Sequence, residues 1–450
     1  MNSRHTDLTK GAILQHLLKL ALPTIGASFM QMTYVLADML WLGRMGEDAV
    51  ASVGAAGLFI WFCSSLLLTT KIGAEICVSQ SLGKQDINLA LRFVRHSLFW
   101  ATLLSLFLSI IVLIFSPNLI SFFGIPSENV LLDGTNYLRI TALCFVFYFV
   151  NPTFAGIYNG MGNSKLPFRY LSVGVILNII IDPLLIFGVG PFPEMGVAGA
   201  AWATVIAQSA VWLIFVYRLI IRSEMMNIHL KNFRFDLKIS KRIFKLGIPV
   251  AFESTFFSLI AMMLTKMMAT FGAIAVAVQT IGAQIEALSW MTTNGFSTAL
   301  GSFTGQNFGA KKWDRIKTGY RYSMTIGACL GVCVTLLFLL FGENIFSLFL
   351  KETESVRLGG FYLKILAVSQ IFMIFEIITR GSFNGIGKTI PPSITGIIFT
   401  GSRIPLAMLL CSIPALGLLG IWWAITLTSV VKGTLLPVWL LTIFRKHNKN

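Results

Sequence analysis

The chain of 450 residues is 55% hydrophobic and only 12% charged, and its mean hydropathy is +0.77. Soluble domains carry about a quarter charged residues, so this composition excludes a globular protein that covers itself with polar surface in water. The net charge of +16 gathers in 218–245, 311–321 and 445–449, while 188–196 and 270–277 lack basic residues altogether. That asymmetry is the positive-inside pattern of a membrane protein rather than a nucleic-acid-binding surface, and it assigns both termini and the central loop to the cytoplasm.

The first ten residues are polar, and the apolar run that follows lacks a small-residue cleavage pattern, so no cleaved leader is expected. Long apolar stretches, each able to cross a hydrocarbon core of about 30 Å as a helix, then recur along the chain. They do not alternate as barrel strands would. The first predicted span, 16–41, contains Leu20-Ala-Leu-Pro23 and carries Asp38 toward its outer end. Spans at 48–78 and 89–115 flank the polar turn that follows Ser79-Gln80-Ser-Leu-Gly83. The fourth, 135–160, ends at Asn159-Gly-Met-Gly162, where glycine terminates the helix. In the fifth, 167–188, Asn178 and Asp182 lie four residues apart on one helical face. Pro183 follows directly; it removes a backbone donor and is expected to bend the helix. Counting about 1.5 Å of rise per residue, Asp38 and Asp182 both fall in the outer half of the bilayer. Two carboxylates and an amide at similar depth can form one ion site for H⁺ or Na⁺. The sixth span, 196–221, opens on Gly196-Val-Ala-Gly-Ala-Ala-Trp202 and leads into a basic stretch, 222–242.

The second half repeats the first. At an offset of 226, Pro23 meets Pro249, Gly46 meets Gly272, Gln80 meets Gln306 and Gly83 meets Gly309. At 225, Asn159-Gly-Met-Gly162 meets Asn384-Gly-Ile-Gly387, and at 221 Gly196 and Gly199 meet Gly417 and Gly420. Order and register persist, which marks an internal duplication. The repeat predicts spans at 243–270, 274–304, 318–341, 361–385, 391–411 and 417–444. The expected fold is therefore all-α and polytopic, with twelve transmembrane helices in a first half of 1–221, a cytoplasmic linker of 222–242 and a second half of 243–450. Six spans per half gives parallel repeats, which commonly place the substrate path between the halves.

Ionisable residues inside spans are costly and mark function or pairing. In the second half these are Glu253, Glu286, Glu376 and Arg403, all near the bilayer centre by the same rise. Arg403 stays charged almost anywhere and is expected to pair with one of the acids, leaving the remaining carboxylates to contact an ion or a cationic substrate. Lys266 and Arg380 lie within reach of a surface and are expected to snorkel. Asn178 aligns with Arg403, Asp182 with Ala407 and Glu253 with Ala27, so the buried charges did not follow the duplication. The five histidines sit near span ends or in loops, and neither they nor the six cysteines have metal-ligand spacing. No phosphate-binding glycine loop, nucleophile constellation or cofactor motif is present, so transport driven by an ion gradient is expected rather than an enzyme or an ATP-driven pump.

Taken together, Leu20-Ala-Leu-Pro23 and its echo Leu246-Gly-Ile-Pro249, Ala37-Asp38, the Gln80 and Gln306 motifs, the two Asn-Gly-x-Gly segments, Asn178-x-x-x-Asp182-Pro183 and Gly196-Val-Ala-Gly-Ala-Ala-Trp202 resemble the multidrug and toxic compound extrusion (MATE) transporters over essentially the full length. The resemblance implies two six-helix lobes in a V shape and antiport of organic cations or other amphipathic compounds against H⁺ or Na⁺. It implies an ion site at Asp38, Asn178 and Asp182, with Thr204 contributing, and cation coupling at Glu253. Glu286, in Gln284-Ile-Glu286-Ala-Leu-Ser, also falls in a motif of the family's kind. Glu376 stands where some Na⁺-coupled members carry an aspartate. Such a protein is expected to work as a monomer in the cell inner membrane, without cofactor. The alternative, a lipid-linked oligosaccharide flippase of a related branch, calls for a cavity rich in Arg and Lys, whereas the buried charges counted above are mostly acidic.

Overall fold

The computed structural model describes residues 5–122, 127–220 and 234–447, and among these the regular structure is entirely helical. Most of the expected linker, 222–242, lies outside the described residues. The first half contributes α1 (Ile13–Gly43), α2 (Glu47–Gly83), α3 (Ile87–Ser121), α4 (Glu128–Leu143), α5 (Phe145–Gly160), α6 (Lys165–Ile186) and α7 (Gly196–Ile220). The second contributes α8 (Leu237–Ala269), α9 (Ala273–Gly309), α10 (Trp313–Ser347), α11 (Thr353–Gly385), α12 (Ile390–Gly401), α13 (Arg403–Cys411) and α14 (Leu419–Lys446).

Among the described residues, ten helical stretches are long and apolar enough to cross a membrane, and eleven if α4 and α5, bent by 55° at Cys144, form one span. The expected span at 274–304 is the exception. It is a 37-residue helix, α9, equal in length to α2, but Gln279, Gln284, Glu286, Thr292, Thr293 and Asn294 interrupt its apolar run. Twelve spans were expected from the repeat, and α9 keeps the length of its counterpart while losing its apolarity. At about 1.5 Å per residue, 37 residues extend about 55 Å, well past a hydrocarbon core of about 30 Å.

The duplication is visible in the backbone itself. Left-handed conformations occur in matching pairs: Gly46 and Gly272, Gly162 and Gly387, Gly196 and Gly417, and the non-glycines Gln85 (φ 61°) and Lys311 (φ 59°). Close packing is duplicated too. Gly156 of α5 lies against the Lys71 carbonyl of α2, and Gly381 of α11 lies against the Ser297 carbonyl of α9. The halves break different spans, however. The first interrupts its fourth span between α4 and α5, where the second runs through as the unbroken α11. The second interrupts its fifth span at Ser402, between α12 and α13. Pro405, which cannot donate to residue 401, explains the latter break. By contrast, α6 runs through Pro183 and ends at Ile186.

The chain forms two compact units: Met1–Asp7 with Gly26–Ala251, and Leu8–Ile25 with Phe252–Asn450. The halves thus exchange the opening segments of α1 and α8, each exchange falling two residues past a proline, Pro23 or Pro249. Burial gives the reason. Ile239, Ile243 and Leu246 of α8 enter the core of the first unit with Val78, Phe154 and Phe215. Leu17, Leu20 and Ala21 of α1 enter that of the second with Phe303, Ile378 and Leu440.

Adding a methyl group tests the duplicated packing. A Cβ on Gly156 would lie 2.7 Å from the Lys71 carbonyl oxygen, and one on Gly381 would meet the Ser297 backbone, whereas Gly57 has nothing within 4 Å. Gly156→Ala and Gly381→Ala should each cost about 1–3 kcal/mol through overpacking and lower the thermal midpoint in detergent. Gly57→Ala should leave it unchanged or raised.

Candidate ion and substrate sites

In the first unit, the outer part of α1 supplies Tyr34 and Asp38, α4 supplies Tyr137 and Thr141, α5 Tyr148, α6 Asn178 and Asp182, and α7 Thr204 and Gln208. The i,i+4 spacing predicted for α6 is realised: Asn178 Nδ2 donates to Asp182 Oδ1 at 3.1 Å, and both residues are fully buried. Asp38 is also buried and lies within electrostatic reach of Asp182 and of Tyr34, Tyr137 and Tyr148. Tyr34 Oη and Thr204 Oγ1 share a hydrogen bond of 2.9 Å. These two line a cavity of about 40 Å³ with Tyr137, Thr141, Tyr148 and Gln208.

The oxygens not yet used define the chemistry. Asp38 Oδ1, Asp182 Oδ2 and Asn178 Oδ1 are buried acceptors with no donor among the described residues. No lysine, arginine or histidine belongs to this set. A buried carboxylate without a partner is costly, and H⁺ or Na⁺ would neutralise it. Hard oxygen donors of carboxylate, amide and hydroxyl type suit either. Tyr34 was not anticipated from the sequence; its signal was its position four residues before Asp38 on the same helical face.

The second unit is built differently. Arg380 of α11 places its guanidinium 2.9 Å from Glu253 Oε1 of α8 and 2.9 Å from Glu376 Oε1 of its own helix. Lys432 of α14 then reaches Glu376 Oε2 at 3.1 Å. The result is a chain of alternating charge, Glu253–Arg380–Glu376–Lys432, with two acids and two bases. Gly396 of α12 makes room for it, because a Cβ there would overlap the Glu253 carboxylate.

This corrects two expectations. Arg380 does not snorkel to a surface; it is the central cation of the network. Arg403 makes no ion pair among the described residues. Its Nε donates to Thr428 Oγ1 and its Nη2 to Ser429 Oγ, both at 3.1 Å, and its guanidinium lies over the Phe257 ring. Glu286, at the half-buried middle of α9, instead accepts from Gln370 Nε2 at 2.9 Å and from Tyr362 Oη at 3.4 Å. Glu253 and Glu376 are therefore brought together, while Glu286 and Arg403 are each held by neutral partners. The sequence reading missed Arg380 as a partner although Glu376 sits four residues before it. It also missed Lys432, an isolated base deep in an apolar run.

A sequence model of the MatE family matches residues 23–184 and again 249–409. The chain belongs to the MatE family. The two matches start at Pro23 and Pro249, so the model recovers the duplication independently. Among similar proteins, "Probable multidrug resistance protein NorM" of Thermotoga maritima is 28% identical over 430 residues, covering 94% of this chain and 91% of that one. "Multidrug export protein MepA" of Staphylococcus aureus is 24% identical over 428 residues, covering 93% and 92%. A transporter of the MOP superfamily from Pyrococcus furiosus, described as having a binding pocket of reversed polarity that suggests a different function, superposes with a TM-score of 0.92. It is 23% identical and covers 100% of this chain and 99% of that one. An outward-facing multidrug resistance MATE transporter superposes with a TM-score of 0.92 at 24% identity, covering 99% and 98%. This MatE-family chain is thus an all-α, multi-pass membrane protein whose fold is that of the MATE transporters.

Removing the shared cation tests the second network. Arg380→Met leaves two buried carboxylates facing one lysine and should cost about 3–5 kcal/mol, seen as a lower thermal midpoint of the purified protein. Glu253→Gln added to that variant should recover part of the loss, because one of the stranded charges is gone. Full stability of Arg380→Met would mean that the network is dispensable.

Proposed function

We propose that this chain is a secondary antiporter that exports amphipathic, mainly cationic, organic compounds in exchange for H⁺ or Na⁺. The observation that carries the reading is the uncompensated acidic set of the first unit. Asp38 and Asp182 are buried, and with Asn178 they present three acceptor oxygens that have no donor among the described residues, whereas the acids of the second unit already have partners. A carboxylate in so apolar a setting must be neutralised, and both a small cation and an organic cation can do so. Loading one would then disfavour the other, which is the energetic basis of exchange. On the outward-facing side the carboxylates take up the coupling ion and release the exported compound; on the inward-facing side the order reverses. Thr204 and Tyr34 supply hydroxyls that orient the ion or the substrate at the same place.

The relatives named for multidrug resistance and multidrug export support this assignment. The basic loops support an orientation with both termini in the cytoplasm of an inner-membrane protein. The flippase alternative requires a cationic cavity for pyrophosphate. The first set is wholly acidic, and in the second Glu253, Glu286 and Glu376 are matched by Arg380, Arg403 and Lys432. Correcting the count from mostly acidic to balanced narrows the contrast with a flippase, but neither set carries net positive charge.

The test is exchange in proteoliposomes, with a cationic dye inside and an imposed pH or Na⁺ gradient. Wild-type protein should move dye under at least one gradient, and Asp38→Asn and Asp182→Asn should each reduce this to the level of protein-free vesicles. Dye movement indifferent to both gradients, or wild-type exchange in both variants, would overturn the proposal.

A further inference from the structure

The first unit also carries a feature unrelated to the intramembrane acids, at the inner end of α3 where the segment preceding α8 docks. A cavity of about 970 Å³ opens there, lined by Arg92, Arg95, Arg234, Lys238 and Lys241 against a single acid, Asp236. Asp236 is already committed. It pairs with Arg92, and its Oδ1 accepts from the amides of Lys238 at 2.8 Å and Ile239 at 3.4 Å. The Lys238 amide, backed by those of Ile239 and the Arg92 guanidinium, holds its carboxyl below the usual range, so it remains ionised and occupied. His96 bridges the two elements: its Nε2 accepts from the Asp236 backbone amide at 2.8 Å, and its Nδ1 lies 2.8 Å from the Arg92 carbonyl oxygen.

Four cations are left over. Arg95, Arg234, Lys238 and Lys241 have no carboxylate within ion-pair distance among the described residues, and the Arg95 Nε–H is buried without an acceptor. The rim is apolar and exposed: Phe99, Phe235 and Leu237 are 39%, 53% and 69% exposed, and Trp100 packs its ring edge-to-face against Phe235 and Phe244. Cations in the floor with exposed rings and an aliphatic side chain at the rim fit an amphiphile with an anionic head.

The second unit shows that the fold does not require this feature. At the offset of 226, Thr318 and Tyr322 stand where the first half has Arg92 and His96, while Arg321 keeps the arginine of Arg95. The segment before α1 is held there by Lys312 and Arg315, whose donors are spent on the carbonyls of Leu8, Thr9, Lys10 and Gly11. In the first unit those two positions are Asp86 and Leu89, and Arg95, Arg234, Lys238 and Lys241 have no carboxylate within ion-pair distance among the described residues.

We propose that this cavity binds the phosphate headgroup of an anionic phospholipid, with its acyl chains along Phe99, Phe235 and Leu237. The site lies on the side that the basic loops assign to the cytoplasm, where anionic lipid would be available to it. The full-length protein in uncharged detergent, titrated in native mass spectrometry with dioleoylphosphatidylglycerol, dioleoylphosphatidylcholine and inorganic phosphate, tests it. Phosphatidylglycerol should be retained preferentially. Its apparent affinity should fall by about tenfold or more in Arg95→Gln/Lys238→Gln/Lys241→Gln and stay near wild type in Arg95→Lys. If the triple variant does not fold, Lys238→Gln/Lys241→Gln, altering exposed side chains only, should still weaken binding. Equal retention of the two lipids, unchanged binding in the folded charge variants, or displacement of phosphatidylglycerol by an equal concentration of inorganic phosphate would each overturn the assignment.

Discussion

A charge buried among apolar helices must be neutralised by something within reach of its own side chain, because no water is available to do it. The two units meet this constraint in opposite ways. In the second, Arg380 bridges Glu253 and Glu376, and Lys432 completes the series, so protein supplies the counter-charges of that network, while Glu286 and Arg403 are held by neutral side chains. In the first, the only partner of Asp182 among the described residues is the amide of Asn178, and the other oxygens of the set stay open to an ion. The first arrangement can exchange its neutralising group; the second has to break an internal ion pair before it can accept one. That difference, more than the presence of acids, separates a candidate coupling site from a candidate structural lock.

Both arrangements depend on helices approaching closely enough for side chains on three or four of them to meet. Glycine permits this at matching places: Gly156 and Gly381 sit against carbonyls of α2 and α9, and Gly396 leaves space for the Glu253 carboxylate. Small residues serve this purpose in apolar bundles, where dispersion rather than the hydrophobic effect holds helices together. The repeated left-handed turns at Gly162 and Gly387, and at Gln85 and Lys311, set where each helix stops and hence at what depth its buried residues lie.

Much of this was legible in the sequence because hydropathy, glycine and repeat register are local properties. The span positions, the duplicated turns and the Asn178–Asp182 pair follow from spacing alone. The limits are equally specific. The repeat predicts α9 as a span equal to α2, and α9 has the same 37 residues, but its polar residues hide it from an apolar-run criterion. Arg403 was matched to an acid by charge, but Thr428 and Ser429 lie nearer, and no spacing rule links α13 to α14. Lys432 and Arg380 acquire their roles only when α8, α11 and α14 converge. The exchange of the opening segments of α1 and α8 was also out of reach, because their apolar faces show that they are buried but not in which core.

The aligned pair Asn178 and Arg403 shows how duplication and divergence combined. In the first half the position falls inside the unbroken α6, where a neutral amide donates to the carboxylate one turn on. In the second it is the opening residue of α13, after a break in the span. A cation at a helix N-terminus is disfavoured by the helix dipole, and Ala407 stands where the first half has Asp182, so no acid awaits it one turn on. The guanidinium turns instead to two hydroxyls of α14. Two differences between the aligned halves, Arg403 for Asn178 and Ala407 for Asp182, therefore leave the second half without the anion-bearing pair and require hydrogen-bond partners on a neighbouring helix. Once such partners were in place, the two halves could no longer serve as interchangeable sites, and any exchange of ions has to be asymmetric with respect to the repeat.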